Sequence, residues 1–187
     1  MTRTFGTSFA LALALALVAA CSKNSDSKGD PAAKVADKPA YVWKKIASLG
    51  IEVEVAPDAD VQDNTASAGF PAATIYSMDG TPTTFIFGGK TLDESIAISK
   101  DLESTKTRLQ KDNDGFKGFS KEEKAADGVG FELRYSAAGV IDKDETLYGI
   151  LIRSNVGELT LDCKTNASSE AEIEMTARLC TSIRAAK

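Results

Sequence analysis

No histidine occurs among the 187 residues, and this narrows the chemistry the chain is able to perform. Nucleophiles that need an imidazole base, and most zinc sites, drop out together. Gly88-Gly89-Lys90-Thr91 has the look of a phosphate-cradling loop, but that loop requires a glycine where this chain carries Thr84. Without it the backbone cannot wrap a phosphate, so the stretch reads as a helix start at Thr91. Asp112, Asp114 and Gly115 match three positions of a calcium loop, yet the frame puts Gln110 at its first ligand and Lys121 at its bidentate acid. A turn that ends a helix explains them better. Asp142, Asp144 and Glu145 supply paired carboxylates, the raw material of acid and base catalysis, in a stretch that reads as a solvated charged loop. Phe85, Phe87, Phe131 and Tyr135 are able to line a ligand pocket, although their strand spacing assigns them to a core. Asn166-Ala167-Ser168 has the form of a glycosylation acceptor. These residues lead to the expectation of no catalytic, metal or cofactor-binding residues, and so of a protein that is not an enzyme.

The elements that carry these residues are legible from periodicity. Val129, Phe131, Leu133, Tyr135 and Ala137 alternate with small or polar residues, as in a strand with one buried face. Leu147 to Ile152 is apolar on both faces, which predicts a strand covered on both sides. After a turn expected at Ser154 and Asn155, Leu159, Leu161 and Cys163 alternate with Glu158, Thr160 and Asp162. Ile51, Val53 and Val55 form an earlier strand, stopped by Pro57. Trp43, Ile46 and Leu49 fit either a helical turn or a strand, and Asp58 to Gly69 reads as irregular. Asp79-Gly80 marks a hairpin between 73–78 and 83–88, and Asp127-Gly128 a second one behind the polar, edge-like segment 116–125. Thr91 with Glu94 is a capping box for a helix to about Lys111, with Leu92, Ile96, Leu102 and Leu109 on its buried face. Ser169 with Glu172 is another, for a helix through Arg184.

The N-terminus carries a different signal. Arg3 precedes an apolar run from Phe9 to Ala20, shorter than the roughly 20 residues that span a bilayer, and the run stops at small residues before a cysteine. Val18-Ala19-Ala20-Cys21 resembles a bacterial lipobox. The resemblance implies a signal peptide over 1–20 and lipidation of Cys21. Ser22 in place of an aspartate implies sorting to the outer membrane, on its periplasmic face. Residues 21–40 then form the lipid anchor and a flexible linker: 22–39 is rich in Ser, Lys, Asp, Gly, Pro and Ala and buries too little to offset its ordering entropy. Such a tether reaches on the order of 25 Å on average. Loss of residues 1 to 21 removes one positive charge, Arg3, and takes the formal net charge from -5 to -6. An acidic chain without a Lys/Arg cluster is a poor partner for nucleic acid, and the lipid anchor supplies its attachment to the membrane.

Export places Cys163 and Cys180 in an oxidising compartment, and with Cys21 committed to lipid they are the two that remain. Each lies on the apolar side of its element, which predicts a disulfide between them. Residues 41–187 read as one α+β domain. The order of elements, from the strand after Gly50 through paired strands, a capped helix after Phe87-Gly88-Gly89, a four-segment meander and a closing helix, is similar to the Mog1/PsbP-like group. That resemblance implies an antiparallel β-sheet with flanking helices, an α/β/α sandwich, in a group of mostly non-catalytic accessory and assembly factors. The expected function is a membrane-anchored periplasmic lipoprotein that serves as a binding or accessory module for an envelope protein partner. A small-ligand carrier or a carboxylate-dependent envelope enzyme are the alternatives.

Overall fold

Two apolar clusters on opposite faces of one antiparallel sheet set the layering of this protein, in a computed structural model that describes residues 40–89, 99–139 and 142–187. The chain enters on β1 (Val42–Ile46), makes a short 3-10 turn over Ala47–Leu49, and returns on β2 (Ile51–Val55). Gly50 takes the left-handed conformation between them, at φ 60°. Strand β3 (Asp60–Asp63) and a single helical turn, α1 (Thr65–Ala68), occupy the stretch expected to be irregular. β4 (Ala72–Tyr76) and β5 (Thr84–Gly89) pair with Ile75 opposite Thr84. Their connection is therefore a wide loop, not a two-residue turn at Asp79-Gly80. Asp79 organises it by accepting bonds from Ser77 Oγ at 2.7 Å and Thr81 N at 2.9 Å.

Helix α2 (Leu102–Asp112) begins later than the sequence pattern predicts, because Asp101 and Ser104 form the capping box there and 99–101 is not helical. Thr91, Glu94, Leu92 and Ile96 lie outside the described residues. Thr105 and Leu109 are its buried residues, and Asn113 Nδ2 closes the far end on the Leu109 carbonyl at 2.7 Å. A meander follows: β6 (Phe116–Lys124), β7 (Phe131–Ala138), β8 (Thr146–Val156) and β9 (Leu159–Ala167). Ser154 and Asn155 belong to β8, paired with Leu161 and Thr160, so the turn falls later, where Gly157 adopts φ 62°. Helix α3 (Glu170–Ser182) starts at the Ser169–Glu172 capping box. It stops before Arg184, and β10 (Arg184–Ala185) pairs with β2 instead.

The strands assemble into a seven-stranded sheet in the order β3-β4-β5-β9-β8-β7-β6 and a three-stranded sheet in the order β1-β2-β10, all antiparallel. This is an α+β fold. On one face of the large sheet, Ile86, Ile150, Ile152, Leu161 and Cys163 pack with the small sheet's Ile51, Val53 and Val55 and with Ile173, Ala177 and Cys180 of α3. On the other face, Phe131, Leu133, Tyr135 and Leu151 pack with Leu109 of α2. β8 serves both clusters, through Ile150 and Ile152 on one side and Leu151 on the other, as its two-sided apolar pattern requires. β6 is one of the two outer strands, and its Lys and Glu side chains and two register irregularities disfavour pairing with a further chain.

Candidate functional site

The residues singled out for their chemistry are dispersed by the fold. Gly88 and Gly89 sit in β5, and a Cβ on Gly88 would lie 2.9 Å from Leu49 Cδ2 and 3.1 Å from Leu161 Cδ2. Gly88 is thus needed for close packing of the sheet under the 3-10 turn; Lys90 and Thr91 lie outside the described residues. Asp112 ends α2, and Gly115, at φ 68°, turns the chain into β6. No cluster of three metal-ligating side chains forms among the described residues. Asp142, Asp144 and Glu145 are exposed on the β7–β8 loop, where Asp142 Oδ1 accepts from Asp144 N at 3.0 Å. Cys21 lies outside the described residues. Cys163 on β9 and Cys180 on α3 are joined by a disulfide, with their Cα atoms 5.7 Å apart, on the side of the sheet that faces α3.

The four aromatics divide. Phe131 and Tyr135 are buried under α2, whereas Phe85 keeps 40% of its surface exposed and lies nearly parallel to Phe87, with ring centroids 6.4 Å apart. Tyr135 packs across Gly149, where a Cβ would come within 2.1 Å of the ring. Its hydroxyl donates to Asn166 Oδ1 at 2.8 Å. Burial, opposed by a hydrogen bond from Asn113, pushes the Tyr135 phenol up to about 12. It remains a neutral donor at physiological pH.

Beside these aromatics the sheet face under α2 carries polar side chains, among them Asp162, which the alternation of β9 puts on its polar side. Arg153 and Asp162 stand directly opposite each other on β8 and β9 and form a two-pronged ion pair at 2.7 and 2.8 Å. Both side chains are 1% exposed. The Arg153 guanidinium also lies over the Phe131 ring, 4.7 Å from its centroid, and Arg108 of α2 reaches to 3.9 Å from Asp162. Lys164 follows two residues after Asp162 on the same face, with its ammonium 4.9 Å from the Phe87 centroid. Burial, reinforced by the like charge of Arg108, lowers its pKa from the usual lysine value. Between this strand and the last turns of α2 opens a cavity of about 390 Å³, lined by Phe85, Arg108, Asn113, Tyr135, Lys164 and Asn166 among others. A second cavity of the same size shares Asp112, Asn113 and Asn166 and runs on toward Lys143 and Leu147.

The opposite face holds another polar group. Glu132 receives Lys121 Nζ at 2.8 Å and Arg134 Nε at 2.6 Å, and Arg134 also pairs with Glu174 of α3. Burial alone would raise the Glu132 carboxyl, but the bonds from Lys121 and Arg134 prevail and hold it below the usual range. The Arg134 bond likewise lowers Glu174. This network ties β6, β7 and α3 together.

Sequence reasoning missed Arg153, Asp162 and Lys164 as a set. Their signal is only partial in the sequence: a charge within a strand apolar on both faces. Their pairing follows from register, which emerges on folding.

No protein-family model and no curated protein matches the chain. Among solved structures, it is similar to the solution structure of cyanobacterial PsbP (CyanoP) from Synechocystis sp. PCC 6803, at 9% identity and a TM-score of 0.48, over 80% of this chain and 94% of that one. It is also similar to a protein from Bacteroides thetaiotaomicron VPI-5482, at 11% identity and a TM-score of 0.40, over 75% of this chain and 46% of that one.

Proposed function

We propose that this protein is a lipid-tethered, non-catalytic binding or accessory module of the bacterial cell envelope, held to the outer membrane through Cys21 on the periplasmic side. The observation that carries the non-catalytic part is the distribution of chemistry over the fold. The acidic candidates Asp142, Asp144 and Glu145 are exposed on one loop, and the buried ion pair Arg153–Asp162 is satisfied within the sheet. What converges on open space is the Lys164 ammonium and the Asn166 amide, beside the Phe85 ring and the Asp112 carboxylate. Such a set is suited to holding a ligand.

The leader and tether support the membrane part. An acyl chain at Cys21 and a tether of about 18 residues, at most roughly 60 Å long when extended, confine the domain to the lipid surface. Confinement raises its effective concentration toward neighbouring envelope proteins, so that a weak docking contact suffices. The test is acylation and fractionation. Wild-type protein is expected to incorporate labelled palmitate and to pellet with the outer membrane, and Cys21→Ser to do neither. A Cys21→Ser protein that still pellets with the membrane as wild type does would exclude the lipid anchor.

A further inference from the structure

We infer that the cavity between the last turns of α2 and strands β5, β7 and β9 binds a small organic monoanion: a carboxylate carried on a flat apolar body. This goes beyond the tethered-module reading and stands whether or not Cys21 is acylated.

The cavity, about 390 Å³, falls within the range of small-molecule sites. Its anchor is Lys164. Hydrogen bonds tie neighbouring polar groups to one another, but no acceptor among the described residues takes the Lys164 ammonium, which lies against the face of Phe87 with the Asp162 and Asp112 carboxylates within electrostatic reach. Asp162, two residues before it, is already held by both prongs of Arg153. A partly desolvated ammonium without an acceptor is costly, and an entering carboxylate offsets that cost with a charge-assisted bond. The depressed pKa of Lys164 agrees with this placement.

The other walls define the rest of the ligand. Phe85 stands directly opposite Lys164 in the β5–β9 register and presents a half-exposed ring, backed in parallel by Phe87. That is a platform for a planar apolar group. Asn166 accepts the Tyr135 hydroxyl through Oδ1, which leaves its amide N–H groups to donate to the ligand. Asp112 lines the cavity, whereas Asp162, two residues before Lys164 on β9, is neutralised by Arg153. The Asp112 carboxylate opposes a second negative charge, which selects a carboxylate over a phosphate dianion.

Benzoate, benzamide and inorganic phosphate are titrated separately into the full-length chain in detergent, with calorimetry and the side-chain amide resonance of Asn166 as readouts. Benzoate is expected to bind saturably with a Kd on the order of a millimolar or tighter. Benzamide, phosphate, and benzoate with a Lys164→Met chain of unchanged circular dichroism should each bind at least about tenfold more weakly. Should Lys164→Met fail to fold, Asn166→Asp at an exposed position keeps an acceptor for Tyr135, adds negative charge to the cavity, and should weaken benzoate likewise. Absence of saturable benzoate binding, equal binding of benzamide or phosphate, or undiminished affinity in these variants would each overturn the proposal.

Discussion

At the scale of single residues, the side chains that decide this structure are charges placed where burial makes them costly. Arg153 and Asp162 are each 1% exposed, and each depends on the other. Removing one partner of a buried pair costs about 3–5 kcal/mol, because the remaining charge is stranded, whereas replacing both with apolar side chains of similar size is often neutral. Arg153→Met leaves Asp162 with Arg108 at 3.9 Å. It is expected to destabilise the domain by about 3 kcal/mol, and the double variant Arg153→Met/Asp162→Leu to recover most of that loss in urea unfolding. A double variant no more stable than the single one would show that the pair contributes net stability. Lys164 differs, since no acidic side chain among the described residues takes its ammonium, and the proposed binding site rests on that asymmetry. Gly88 is a fourth decisive residue, for space and not for charge: its missing side chain makes room for Leu49 and Leu161 over β5.

At the scale of elements, α3 is fastened to the large sheet in two ways. The Cys163–Cys180 disulfide joins it to β9 on the apolar side. The Arg134–Glu174 pair joins it to β7 on the polar side. The disulfide closes a loop with a sequence separation of 17, a span for which chain entropy predicts a contribution of about 3 kcal/mol. Replacing both cysteines by Ala is therefore expected to lower unfolding stability by about that amount with little change in circular dichroism. Thiol titration of the denatured, unreduced protein should find neither Cys163 nor Cys180 free; two titrating thiols there would remove the disulfide from the native protein. The opposite helix, α2, packs through Leu109 with Phe131, Leu133, Tyr135 and Leu151, and its Asp101–Ser104 cap sets where it begins.

At the scale of the whole molecule, the separation of tether from domain is the functional device we propose. The described core begins at β1, and its clusters draw only on residues from Val42 onward. Deleting Lys23 to Lys38 is accordingly expected to leave the thermal midpoint unchanged within about a degree, since surface changes away from packing features are usually within 0.5 kcal/mol. The same deletion should sharply reduce in-cell cross-linking to envelope proteins, because the shortened chain draws the domain against the lipid. Undiminished cross-linking would show that the tether's length is immaterial to docking.

The sequence by itself determined what depends on local pattern. The one-sided alternation of Phe131, Leu133 and Tyr135, the two-sided run of β8, the polar edge strand β6 and the Ser169–Glu172 cap are all written in neighbouring residues, because strand and helix periods fix which side chains share a face. Tertiary structure decided what depends on partners far along the chain. Asp58 to Gly69 reads as irregular until β4 offers Asp60–Asp63 a hydrogen-bonding edge. Arg184 leaves the helix because β2 presents Glu52 opposite it, 2.6 Å from its Nε. Asp162 alternates like a solvated residue and is buried, because the register of β8 and β9 sets Arg153 against it and α2 covers both. Polarity in a sequence marks a side chain as able to face water; whether it does so is settled by which surface the fold lays over it.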